Sequence, residues 1–70
     1  MLLSDYLSKH KITYTEFGRR VGASRVAVMR WATGRHQPHG KHQQAILIAT
    51  AGEVQSNDHY RAYALHREHE

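Results

Sequence analysis

The sequence has no cysteine, a single proline, a single tryptophan, and only six acidic side chains against ten lysines and arginines. Each shortage excludes something. Without cysteine there is no disulfide and no thiolate metal site to staple a small fold. Seventy residues make one domain, and at 40 % apolar content its core is marginal on its own. Either the helices pack very efficiently or a second subunit completes the core. No apolar run reaches the roughly 18–20 residues that a membrane span needs. The opening "MLLSDYL" has no basic head and meets Asp5 too soon for a secretory signal. A reducing cytoplasm is the expected setting. Nucleophile motifs, phosphate-binding glycine loops and paired carboxylates are also missing, and a short helical chain has little room for a pocket. The expectation is therefore a non-enzyme with no cofactor and no small-molecule substrate.

What is abundant is histidine, with seven in the chain. His36, His39 and His42 recur every three residues, but Pro38 and Gly40 interrupt any helix that would align them. Zinc needs ligands converging at about 2.0–2.1 Å in a supported geometry. With no cysteine and no nearby carboxylate to join them, no metal site is expected. Charge is unevenly placed. Residues 1–49 hold eight lysines and arginines against two acids, a net +6, whereas residues 50–70 carry a net −2. A basic body favours a polyanionic partner.

The pattern predicts four to five short helices. Leu3 and Leu7 share a face with Tyr6 beside them, giving a first helix from Leu2 or Ser4 to about His10. Thr13 and Glu16 have capping-box spacing, and Ile12 with Phe17 fits a hydrophobic staple, so a second helix runs from Tyr14 to Val21. Gly22 ends it, Ala23 and Ser24 complete a tight turn, and Ser24 can cap the next helix. Two short helices so closely joined must cross steeply, as in a helix-turn-helix.

The third helix, about 24–33, separates its residues cleanly. At about 100° per residue and with Arg25 at zero, Met29, Thr33, Val26 and Arg30 fall between roughly 40° and 140°. Ala27, Trp31, Val28 and Ala32 fall between roughly 200° and 340°. One face suits a core. The other combines arginines with a hydroxyl and apolar groups able to touch thymine methyls. Gly34 closes this helix and Pro38 restrains the loop beyond it. A fourth helix is expected from about Gly40 to Thr50, and its Ala45–Ala49 run is apolar on every side. That run asks for partners on two faces. The second is expected to form a dimer interface with the segment after Gly52, through Ile46, Leu47, Ile48, Val54 and Tyr60. Ser56 can cap a short fifth helix carrying Tyr60, Tyr63 and Ala64, a short strand at 53–55 is the alternative, and residues 67–70 read as a polar tail on a domain of 1–66.

The stretch "TYTEFGRRVGASRVAVMRWATGRHQP" resembles the lambda-repressor-like helix-turn-helix family, especially the small phage Cro-type repressors. The shared features are the glycine turn, the Ser-Arg opening of the third helix, the internal Val28, the Trp31 anchor and the "GRxxP" exit. The resemblance implies a homodimer in the cytoplasm of a bacterial host, placing two recognition helices in successive major grooves of a near-palindromic double-stranded operator. It implies that Ser24, Arg25, Val26, Met29 and Arg30 face bases, with Thr33 at the edge. It also implies backbone contacts from the start of the second helix, Thr13 and Tyr14, where amides and dipole favour an anion, and from Arg35, His36, Lys41 and His42. Two positions depart from the family pattern: Tyr14 stands where glutamine is common, and Gly18 where alanine is usual. A helix-turn-helix antitoxin or adaptor, acting mainly through a protein partner, is the alternative.

Overall fold

Leu3, Tyr6 and Leu7 recur on one side of α1 (Leu3–His10) and all three are buried. The structure, a computed structural model, describes residues 1–68. In it α1 is followed by α2 (Tyr14–Val21), α3 (Arg25–Thr33), α4 (Gly40–Ala49) and α5 (Ser56–Glu68). The fold is an all-α bundle of five short helices, with no strand among the described residues.

Local chemistry accounts for most of the boundaries. Thr13 Oγ1 accepts the Glu16 N–H at 3.1 Å and Ser24 Oγ accepts the Ala27 N–H at 3.1 Å, so both inner helices begin with a satisfied cap. Only half of the expected capping box forms at α2, because the Glu16 carboxylate turns to Arg19 (3.5 Å) and Arg20 (3.7 Å) one turn on. Gly22 ends α2 at φ +74°, a left-handed conformation that any β-carbon would strain. Gly18 is needed for space. A β-carbon there would lie 2.5 Å from the Ala23 carbonyl oxygen, so the alanine usual in the resembling family does not fit this turn.

The core is one cluster. α1 contributes Leu3, Tyr6 and Leu7; α2 contributes Phe17 and Val21; α3 contributes Val28, Trp31 and Ala32; Ile46 and Val54 close it. Tyr6 meets Phe17 edge-on with ring centroids 6.4 Å apart. α3 is the central element, packing against α1, α2 and α5, while α4 packs on α2. The whole measures about 30 × 21 × 19 Å.

Four expectations change. Ile46 and Val54 are fully buried inside the monomer, so they cannot form an outer dimer face. Both fill the single core that a chain of this size can build. Leu47, Ile48 and Tyr60 remain outside, with Ile48 at 71 % and Tyr60 at 65 % exposure. The segment 53–55 is a turn rather than a strand, since Thr50 organises it locally. The buried Thr50 hydroxyl donates to the Ile46 carbonyl (2.8 Å) and accepts the Val54 N–H (3.2 Å). Ser56 is the first residue of α5 and not its cap. Asp58, in the first turn, reaches back to accept the Gln55 N–H at 2.9 Å, the back-bond of a capping box. α5 itself continues through Arg67 and Glu68, and positions 69 and 70 of the expected tail lie outside the described residues.

Two buried ionisable groups flank this junction. Burial works to raise the Asp58 carboxyl pKa. The Gln55 N–H, the Met1 ammonium at 3.0 Å and Arg61 outweigh it and hold the value below the usual carboxylate range. Burial pushes the neighbouring His59 imidazole below its ordinary value, with the Asp58 charge opposing in part, and His59 Nε2 has no hydrogen-bond partner.

Candidate nucleic-acid interface

The outer arc of α3 follows from how its inner arc is held. Val28, Trp31 and Ala32 are buried and Ala27 is half-buried, which fixes the rotation of the helix about its axis. Arg25, Val26, Arg30 and Thr33 are thereby left exposed, with Met29 half-buried between them. Val26 is an apolar side chain left 43 % exposed beside the two arginines of this arc. Two of the expected readers are partly engaged within the protein. The Ser24 oxygen caps α3, and the Thr33 hydroxyl donates back to the Met29 carbonyl at 2.9 Å. The unencumbered side chains of the arc are thus Arg25, Val26 and Arg30.

Among the described residues the cations of this surface are free of acidic partners, as is Lys11 at the end of α1. Glu16 pairs with Arg19 and Arg20, Glu53 with Lys9 (3.5 Å) and His10 (3.6 Å), and Asp58 with the Met1 ammonium and Arg61 (3.8 Å). Among the described residues, Arg25, Arg30, Arg35 and Lys41 enter no ion pair. Glu16, Glu53 and Asp58 thus face cations of α1, α2, α5 and the chain start rather than those of α3. The cations of α3 and the loop after it keep their full field toward solvent.

A cleft lies beyond each end of α3. The first, about 340 Å³, is lined by Ile12, Thr13, Tyr14, Thr15 and Arg25. It joins the N-terminus of α2, whose amides and dipole favour an anion, to the first side chain of α3. Thr13 and Tyr14 are therefore brought together with Arg25. The second, about 310 Å³, is lined by Arg35, His36, Gln37, His39 and Tyr63. Arg35 and His36 meet there, and His39 and Tyr63 join them. Lys41 is exposed on the first turn of α4, and the His42 ring rests on Trp31 with centroids 5.3 Å apart. The sequence reading missed Thr15 and Tyr63. Tyr63 arrives from α5 by tertiary packing, which no local pattern signals. A third and larger cleft, about 670 Å³ between α4 and the start of α5, is lined by Gly40, Gln43, Gln44, Leu47, Gln55 and Ser56 and has no titratable side chain.

Among the described residues no group of three or more histidines or carboxylates is arranged to hold a metal ion, and no helix is long and apolar enough to cross a membrane. Comparison with protein-family models, with curated proteins and with solved structures returns no match.

Proposed function

We propose that this protein is a sequence-specific double-stranded DNA-binding regulator in which α2, the Gly22 turn and α3 form a helix-turn-helix. α3 enters the major groove, and Arg25, Val26 and Arg30 read base edges. Arginine meets guanine through two parallel hydrogen bonds and valine meets the thymine methyl. Met29, Ser24 and Thr33 complete the contact area. The clefts at the two ends of α3 take backbone phosphates, which position the helix without reading sequence. The carrying observation is that the arginines of the outer arc are exposed and free of acidic partners, while the inner arc of the same helix is locked into the core.

A homodimer through Leu47, Ile48 and Tyr60 belongs to this reading, because these are large apolar side chains left outside the monomer core. The same exposed side chains also suit the second reading, an antitoxin or adaptor whose main partner is a different protein. Selection of bound sites from a random duplex library separates the two. The DNA reading expects enrichment of a near-palindrome with half-sites about one helical turn, roughly 34–36 Å, apart. Recovery of no enriched sequence would refute it.

A further inference from the structure

The second cleft has a composition that its counterpart lacks. Arg35, His36, Gln37, His39 and Tyr63 surround about 310 Å³ of open space, and among the described residues no carboxylate lines it. Among the described residues, the charged and titratable groups that line it are donors or potential cations. Arg35, His36 and His39 come from the loop and Tyr63 from α5; Lys41 and His42 follow on the first turn of α4, where the His42 ring rests on Trp31. The Tyr63 hydroxyl accepts from Arg67 Nη1 at 2.9 Å. His66 also belongs to this end of α5, its Cβ close beside Gly34. The loop is anchored to α3, because the Arg35 and His36 N–H groups both donate to the Arg30 carbonyl, at 3.0 and 3.3 Å. The cleft is thus fixed relative to the arc that carries Arg25 and Arg30. His36 and His39 are exposed, and the His39 side chain makes no capping bond to α4, so both imidazoles are available to an outside ligand.

Building on the DNA reading above, we propose that this cleft is a proton-gated seat for a DNA phosphodiester, which grips the duplex more tightly as His36 and His39 become charged. Arg35 supplies a permanent charge. Imidazole is the side chain whose charge changes between about pH 5 and 8. A protonated imidazole offers two donors and no acceptor, which suits an anion. A phosphate neighbour favours the cation, so the complex takes up protons that the free protein lacks, and by linkage affinity rises as pH falls. The base-reading face contains no histidine, so the gate acts on backbone grip and leaves sequence preference unchanged.

The test is fluorescence anisotropy with a labelled random-sequence duplex of about 20 base pairs, at about pH 8 and about pH 6 and at several chloride concentrations. Wild type is compared with the double variant His36→Gln/His39→Gln, and with His10→Gln on α1 as a histidine remote from the cleft. Circular dichroism at both pH values verifies that each is folded. From about pH 8 to about pH 6 wild-type binding tightens by roughly ten- to hundredfold and the salt slope steepens by up to about two units, one for each imidazole that pairs. The double variant loses most of that response and His10→Gln keeps it. Replacing chloride by inorganic phosphate at equal ionic strength leaves the response intact. Its loss in phosphate alone would make the free anion the ligand and overturn the assignment to the duplex. Equal pH responses in wild type and double variant would overturn the proton gate while leaving DNA binding standing. No duplex binding at either pH would overturn both.

Discussion

Replacing Gly34 by alanine tests how α5 is seated against the end of α3. Gly34 leaves α3 at φ +82°, and a β-carbon there would overlap the Ala62 carbonyl oxygen, with the Ala62 carbonyl carbon 2.8 Å and His66 Cβ 3.0 Å away. Gly22 is the internal comparison, because it has nearly the same backbone angle, +74°, but faces open space. Gly22→Ala therefore meets left-handed backbone strain alone, about 1–2 kcal/mol. Gly34→Ala meets that strain and must also displace α5 backbone, which adds about 1–3 kcal/mol, for a total near 2–5 kcal/mol. A domain of this length holds only about 4–10 kcal/mol, so this change leaves little reserve. Each kcal/mol also lowers the melting temperature by about 4–8 °C. The assay is urea unfolding followed by the fluorescence of Trp31, the single tryptophan, buried at 6 % exposure. The expected result is a midpoint lower for Gly34→Ala than for Gly22→Ala by the equivalent of the displacement cost. Equal midpoints would refute the docking of α5 on the α3 exit, and with it the cleft that Tyr63 helps to line.

Gly18→Ala should destabilise by about 1–3 kcal/mol in the same assay, because its β-carbon meets a backbone carbonyl in the turn rather than a movable side chain. An unchanged midpoint would mean that the α2–α3 turn is looser than described. Thr13→Ala and Ser24→Ala should each cost about 0.5–2 kcal/mol through loss of a cap, with Ser24→Ala also weakening DNA binding by loosening the first turn of α3. Stability should fall on acidification in two stages. His59 is held neutral by burial, so the unfolded chain binds its proton first; that contribution is complete above about pH 6.5 and is lost as pH falls below it. Asp58 is depressed, so its contribution is complete above about pH 4 and lost below that. His59→Leu should remove the upper stage at little cost near neutral pH, since His59 Nε2 has no partner to lose. Retention of the upper stage in His59→Leu would locate its origin elsewhere.

The start and end of α2 and α3 were legible because they are written in short-range chemistry. Thr13, Gly22, Ser24 and Gly34 each act on backbone within a few residues of themselves, and all four occupy the expected cap positions. The two faces of α3 were legible for a similar reason, since a short helix with apolar and basic arcs allows one rotation against a core. α4 was different. Ile46, Leu47 and Ile48 are adjacent and equally apolar, so the sequence offers no contrast to say which one turns inward. Packing on α2 decides it, burying Ile46 and leaving Ile48 outside. Val54 misled for the complementary reason. Its burial depends on Thr50 folding the chain back with a side-chain hydrogen bond, and an isolated threonine gives no such signal. The α5 start was readable in part, because Ser56 marks it, although as the first helical residue and not as the cap. The meeting of Tyr63 with Arg35 and His36 is long-range and invisible to local reading.

The most direct test of the claim that α3 reads bases is the ratio of affinities for a selected site and for a random duplex, measured for wild type, Arg25→Ala and Lys41→Ala. Arg25 lies on the outer arc and Lys41 on the exposed first turn of α4. Arg25→Ala should lose about 1–3 kcal/mol on the selected site and much less on the random duplex, so the ratio falls by about five- to 150-fold. Lys41→Ala should weaken both duplexes alike, hold the ratio constant and flatten the salt slope by about one unit. If Arg25→Ala weakens selected and random DNA equally, Arg25 touches only the backbone and the base-reading role of α3 is wrong.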